Sequence, residues 1–268
     1  MSKIYTVAVL FLSSKHEEEA GIVAGHIKRN KVIAVSSIEK IDTSLDIDIA
    51  VIVGGDGSFV RAANKFVGKN TKFFCINKGT VGFTAHNIQS SNYGQIEHYI
   101  ENSAVENLPM LKICMYNQDT KNIVYALNDF YINKNSAQAA KLQISYKNYK
   151  TNFIGDGIAV STPMGSGAYN LSAGGPLLHF RSEDLCLTPI CASMPEHWRG
   201  GVISGKSKLT IELDQDRVDS YLLNYDGMSF SSKFINKITV SKSLKNITKV
   251  MFYKHHNLES KIYNNIFK

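Results

Sequence analysis

The chain predicts an open α/β domain followed by a largely antiparallel β domain. Three observations lead there. Over residues 1–104, apolar β-rich runs alternate with helical periods, and two of the runs stop at glycine-bearing turns. Beyond Pro109, strand-like runs succeed one another with few helical periods between them. The length of 268 residues suits one to two domains at roughly 150 residues each.

Residues 4–12 are a continuous apolar run, as expected of a strand covered on both faces. Residues 16–28 are charged and carry alanines, which predicts a helix. Residues 47–53 form a second buried strand, which stops at Gly54-Gly55-Asp56-Gly57. Phe59, Val60, Ala63 and Phe66-Val67 then recur at helical spacing, so this glycine loop joins a strand to a helix. Residues 72–76 are a third strand ending in Asn77-Lys78-Gly79. Such alternation argues for a mostly parallel, Rossmann-like sheet. Residues 110–116, 123–133, 141–146, 209–213 and 238–240 read as strands of a β-sandwich-like domain. We place the α/β domain at residues 1–104 with 246–268 and the β domain at 105–245. Residues 249–268 have mixed periodicity, and no internal repeat or flexible linker is visible.

Hydrophobic residues at 44% and charged residues at 20% exclude global disorder. A chain of this size buries a core without staples. With no apolar run of 18 residues or more, a membrane-spanning helix is excluded. Five prolines and 19 glycines exclude collagen-like and Pro-rich classes. The net charge is +7. A basic excess fits nucleic acid, a membrane surface or an anionic small molecule. Here the lysines are scattered, and the densest stretch, residues 141–150, alternates with apolar residues as a strand does. No nucleic-acid module is recognisable, and a site for phosphorylated ligands explains the excess at least as well as nucleic acid does. Cys75, Cys114, Cys186 and Cys191 form no CxxC pair and sit among apolar neighbours; we expect buried, reduced thiols and no zinc site. The apolar start lacks a small-x-small cleavage site, so it reads as a first strand rather than a signal peptide, and a cytoplasmic location is expected.

Three segments carry chemistry. In open α/β sheets ligands lie beyond the carboxyl ends of the strands, where the Gly54-Gly55-Asp56-Gly57-Ser58 glycines let backbone approach a phosphate and the following helix points amides at it. A carboxylate repels phosphate, so Asp56 serves another purpose, either accepting a proton from an attacking hydroxyl or holding a metal ion. The alternative is a plain Asp-Gly surface turn. The second segment is Asn128-Asp129, a polar pair inside a strand-like run that demands partners. An Asn side chain both donates and accepts, which suits a nucleobase or ribose; a strand end would explain the pair as well. The third is residues 155–176, dominated by small residues and hydroxyls. These allow close backbone approach and short hydrogen bonds. Tyr169 could lie against an adenine or nicotinamide ring, and Asp156 could bind a ribose or an amide. A Gly-rich turn leading into a small-residue helix is the structural alternative.

Together, in this order from Ile47 to about Asp226, these segments resemble the NAD kinase family. The glycine-rich Asp motif is shared with diacylglycerol, sphingosine and phosphofructokinase relatives; the stretch DGIAVSTPMGSGAYNLSAGGP is far more specific. The resemblance implies an enzyme that transfers the γ-phosphate of ATP, or of polyphosphate, to the 2′-hydroxyl of the adenosine ribose of NAD. It implies that Asp56 is the catalytic proton acceptor, that Gly57 binds ligand beside it, and that Arg61 is a basic residue near the ligand. Asn128 and Asp129 match the pair that contacts NAD, and Asp156 matches the aspartate that opens the long motif. Across Gly167, Ala168, Tyr169, Asn170, Leu171 and Ser172, the Tyr and Ser match NAD contacts. Asp226-Gly227 resembles a later element near the site. Mg²⁺ carried by ATP and a homodimer or homotetramer are implied too. The chain departs from the family at Gly167, where a Thr is usual, at Ile154, where a basic residue is frequent, and at Cys191-Ala192-Ser193, where a Pro-His pair is common. Two rival readings are a lipid kinase of the same superfamily, which needs an apolar groove, and a non-catalytic NADP-binding sensor. His179 and Trp198 read as structural, and His255-His256 as solvated.

Overall fold

The computed structural model describes residues 4–80, 82–117, 120–214, 221–231 and 233–253. Its chain divides into two units. One runs up to Leu108 and resumes at Ile247; the other is Pro109–Asn246.

The first unit contains β1 (Thr6–Phe11), α1 (Glu17–His26), β2 (Lys31–Ser37), β3 (Ile49–Gly54), α2 (Asp56–Lys65), β4 (Lys72–Asn77) and α3 (Ile96–Glu101). The strand order is β2-β1-β3-β4, and each of these pairings is parallel. Val7 to Phe11 and all of β3 are buried. Continuous apolar runs are therefore what this sheet requires, since both of its faces are covered. Helix α2 buries Phe59, Val60, Ala62 and Ala63. Strand β2 has no such signature in the sequence, because most of its residues are only half-buried. Helix α3 is held by buried Glu97, whose Oε1 accepts the backbone N–H groups of Arg29 (2.7 Å) and Asn30 (3.0 Å) and the Asn30 side-chain amide (3.1 Å).

The second unit holds most of β5 (Ser103–Tyr116), then β6 (Lys121–Ala126), β7 (Asp129–Lys134), β8 (Ala140–Tyr146), β9 (Tyr149–Gly155), β10 (Gly157–Ser161), α4 (Tyr169–Ser172), β11 (Asp184–Ile190), β12 (Gly201–Ser204), β13 (Leu209–Leu213), β14 (Tyr221–Tyr225) and β15 (Met228–Ser231). In β16 (Lys237–Tyr253), residues 237–240 pair with β13, and residues 249–250 pair with β4 of the first unit's sheet. One antiparallel sheet has the order β12-β11-β10-β7-β14-β15. Against it pack β9-β8-β13-β16 and the β5-β6 pair. Ile132, Val160, Leu187 and Leu223 from the first layer meet Ile113, Leu142, Ile144, Ile211 and Val240 from the second in one core. This is the expected sandwich arrangement.

Two expectations are corrected. Residues 123–133 are not one strand: the chain breaks at Leu127-Asn128, so that β6 pairs with β5 and β7 joins the other layer. Cys191 is exposed at a positive φ of 47°, unlike the buried Cys75, Cys114 and Cys186. Of the residue 249–268 tail, residues 249–253 complete β16, while residues 254–268, including His255-His256, lie outside the described residues. His179 is exposed and its Nδ1 accepts the Arg181 N–H at 3.3 Å. Trp198 packs 5.9 Å from the Phe153 ring.

Candidate functional site

In the first unit, the carboxyl ends of β3 and β4 present two glycine turns that close on each other. A Cβ on Gly79 would lie 3.0 Å from Gly55 Cα, and one on Gly54 would lie 2.3 Å from Ser58 Oγ. The Lys78 N–H donates to Gly54 O at 3.0 Å. Asp56 follows, in the first turn of α2, where a negative charge favours the helix dipole. It is half-buried. Its Oδ2 accepts the Phe83 N–H at 2.9 Å, and its Oδ1 accepts the N–H and hydroxyl of Thr84, each at 2.8 Å. A carboxylate has about four acceptor positions, so one is left, on Oδ2. Asp56 thus also fastens the 83–84 backbone, a role the sequence did not signal.

Gly57 is exposed. Arg61 does not stand free for a ligand: its Nε lies 2.6 Å from Glu39 Oε1, and Lys65 binds the Glu39 carbonyl. Lys78 Nζ lies 2.6 Å from Glu19 Oε1, which also accepts the Tyr93 hydroxyl at 2.5 Å. Burial opposes charge on both partners, yet their hydrogen bonds outweigh it: the Glu19 carboxyl moves below its ordinary value and the Lys78 ammonium above it.

In the second unit, the Leu127-Asn128 corner is clamped from two sides. From the long motif, Thr162 Oγ1 donates to Leu127 O (2.6 Å), the Thr162 N–H donates to Asn128 O (2.9 Å), and the Gly165 N–H donates to Thr162 Oγ1 (3.0 Å). Gly165 lies so close that a Cβ there would fall 2.0 Å from Asn128 O. From the β14–β15 turn, the Asp226 carboxylate accepts the backbone N–H groups of Leu127 (2.6 Å), Asn128 (2.8 Å) and Asp129 (3.2 Å). The Asn128 side chain is half-buried and takes no partner among the described residues. Asp129 is 4% exposed. Burial, then the nearby Asp226 charge, push its carboxyl up to about 7, and the Asp226 N–H works against them.

Strand register places more polar groups beside this corner. Asp129 pairs with Ser161, Tyr131 with Ala159 and Asn133 with Gly157, so these side chains share one face of the sheet. Ser161 Oγ and Asn133 Oδ1 are buried there without a hydrogen-bond partner among the described residues. The Tyr169 ring packs 4.5 Å from that of Tyr131. Burial, then the Asp129 charge, raise the Tyr131 hydroxyl. Ser161 and Thr162 belong to the long motif, which the sequence marked as a whole without separate roles for them; Tyr131 was not singled out, and the available signal was its two-residue offset from Asp129.

Gly167, Leu171 and Ser172 are exposed, and Ala168 and Tyr169 are half-buried. Asn170 is used within the loop. It is fully buried, its amide donates to Ser166 O and Pro176 O (both 2.9 Å), and its carbonyl accepts from Thr188 Oγ1 (2.6 Å). It braces the loop, with both amide hydrogens and one acceptor position of its oxygen engaged inside the protein. Asp156 lies at the opposite end of the β7–β10 pair from Asp129, five residues along the strand and roughly 17 Å away at 3.3 Å per residue. It pairs with Lys134 Nζ at 2.6 Å, a cation that no sequence motif marks. The structure thus gathers Asn128, Asp129 and Tyr169 around one corner, sets Asp156 at the far end of the same strands, and carries Asp56, Gly57 and Arg61 on the other unit. Among the described residues, no group of three or more His, Cys, Asp or Glu side chains is placed to hold a metal ion. No described helix is long and apolar enough to cross a membrane.

Comparisons with known proteins agree with these motifs. Residues 127–251 match the family model described as ATP-NAD kinase C-terminal domain. An NAD kinase of Rickettsia canadensis is 33% identical over 221 residues, covering 80% of this chain and 84% of the relative. In fold, the chain is similar to yeast NADH kinase complexed with NADH, with a TM-score of 0.82, 17% identity and coverage of 99% of this chain and 88% of the other. It is also similar to an NAD kinase from Archaeoglobus fulgidus in complex with ATP, with a TM-score of 0.76, 23% identity and 98% of each chain covered. A 33% identity that spans most of both chains, beside a family model that matches residues 127–251, settles the family: the chain belongs to the NAD kinases.

Proposed function

We propose that the protein phosphorylates NAD, transferring the γ-phosphate of ATP to the 2′-hydroxyl of the adenosine ribose. The observation that carries this reading is the Leu127-Asn128 corner, where a strand break, the long motif and the Asp226 turn together leave one Asn side chain with open donors and an open acceptor. That is the equipment for reading a ribose or a base edge. The Tyr169–Tyr131 pair offers a ring face beside it. Asp156, about 17 Å along the same strands, would meet the distal part of an extended dinucleotide.

In this reading Asp56 accepts the ribose hydroxyl proton through the open position on Oδ2. Its three internal hydrogen bonds hold the carboxylate in one orientation, which suits a base that must be aimed. Phosphoryl transfer asks mainly for positioning and charge neutralisation, and the glycine turns would let backbone amides approach the phosphates. A divalent ion such as Mg²⁺ enters as the companion of the ATP phosphates and adds charge neutralisation there. Gly57, Ala168, Leu171 and Ser172 complete the proposed ligand contacts, with polyphosphate as the alternative donor. A cytoplasmic location and a homodimer or homotetramer belong to the same proposal. The comparisons favour neither the lipid-kinase nor the sensor alternative. Incubation of the purified protein with Mg-ATP and NAD, followed by an NADP-specific dehydrogenase, tests the activity: NADP must accumulate with time and with both substrates. Saturable NADP binding without phosphate transfer would favour the sensor instead.

A further inference from the structure

We infer that Asp226 is a positioning residue for the acceptor substrate, holding the Asn128 corner open toward NAD; this rests on the reading of NAD as acceptor. Asp226 and Gly227 have φ of 48° and 75° and form the two-residue link between β14 and β15, closed by the Tyr225–Met228 pair. Positive φ at both central residues is the geometry that Asp-Gly, Asn-Gly and Gly-Gly favour in tight hairpins. The hairpin therefore explains the backbone at position 226, and it does not require a carboxylate.

The carboxylate is used elsewhere. It collects three successive backbone N–H groups, from Leu127, Asn128 and Asp129, at 2.6, 2.8 and 3.2 Å. The Asp226 N–H returns a hydrogen bond to Asp129 O at 3.2 Å. The first two of these amides lie in the break between β6 and β7, where strand pairing cannot satisfy them, and the third opens β7. Charge-assisted bonds from three donors on one acceptor group fix the local backbone strongly. With the backbone fixed, the Asn128 side chain needs no internal partner to hold its place.

The test compares Asp226→Gly and Asp226→Asn with the wild type, in full-length protein, by steady-state kinetics in each substrate. Both variants suit the hairpin turn. Asp226→Gly removes the acceptor and should raise the KM for NAD roughly 10- to 100-fold, as expected for losing hydrogen bonds to a charged group. The KM for ATP should stay within about twofold. Asp226→Asn keeps one acceptor oxygen and should fall between the two, so it carries the test if the glycine variant does not fold. An unchanged KM for NAD in a folded variant overturns the inference. So does a parallel rise of both KM values, or a loss of kcat alone, since these report general damage. A wild type that makes no NADP would instead sink the functional reading and leave the hydrogen-bonded clamp standing.

Discussion

Of two glycines in one loop, only Gly165 should suffer from an added methyl group. A Cβ on Gly165 would lie 2.0 Å from Asn128 O, 2.4 Å from its carbonyl carbon and 2.5 Å from its Cα, all backbone atoms, where real Cβ contacts essentially never fall under 3.0 Å. The loop and the corner must therefore separate by roughly 1 Å, and the Thr162 bonds at 2.6, 2.9 and 3.0 Å resist that movement. Overpacking of this kind costs about 1–3 kcal/mol. A misplacement of about 1 Å at a reacting site can lower turnover about 10²-fold. Gly165→Ala should thus lose about 1–3 kcal/mol in urea denaturation and about 10²-fold in kcat/KM for NAD. At Gly167 a Cβ would meet only Leu177 Cδ2, at 3.7 Å, an ordinary contact. Gly167→Ala should change stability by less than about 0.5 kcal/mol. Wild-type stability and kinetics in Gly165→Ala, or equal damage in both variants, would refute the close-approach argument.

Asp56→Asn should lower kcat by about 10²–10⁴-fold if the residue is the general base. It also turns an amide toward the Phe83 N–H, so part of any change in KM will come from the 83–84 backbone; wild-type turnover would remove Asp56 from the proposed chemistry. Ser161→Ala removes a buried hydroxyl that has no partner among the described residues, so urea denaturation should show no loss and a gain of up to about 1 kcal/mol; a loss above that size would reveal a bond the structure does not contain. Asp129 has a folded-state value raised to about 7, so between the unfolded carboxylate range and pH 7 the native state binds more protons than the unfolded one. Stability should then decline as pH rises through that window, by at most about 4 kcal/mol from this residue. In Asp129→Asn the decline should flatten; an unaltered pH profile in that variant would contradict the assignment.

Part of this molecule was legible from local pattern. The buried parallel strands announced themselves as unbroken apolar runs, because a strand covered on both faces has no polar side to show. The glycine turns after β3 and β4, and the small-residue stretch at residues 155–176, stood out in composition alone. The residue 123–133 run misled, since its apolar alternation continues across Leu127-Asn128 while the chain passes from one layer of the sandwich to the other. Edge strand β2, with its half-buried residues, left too weak a pattern to read.

By itself, then, the order of residues determined the fold class and the family motifs. Burial periodicity and steric freedom are local properties, and a linear sequence records them. Only the tertiary structure decided how the side chains are employed: that Asn170 braces a loop, that Arg61 answers Glu39, that Asp56 grips the 83–84 backbone, and that Asp226 holds a corner some hundred residues upstream. Hydrogen bonds reach about 3 Å whatever the separation along the chain, so a side chain's partners are set by which strands the fold lays side by side.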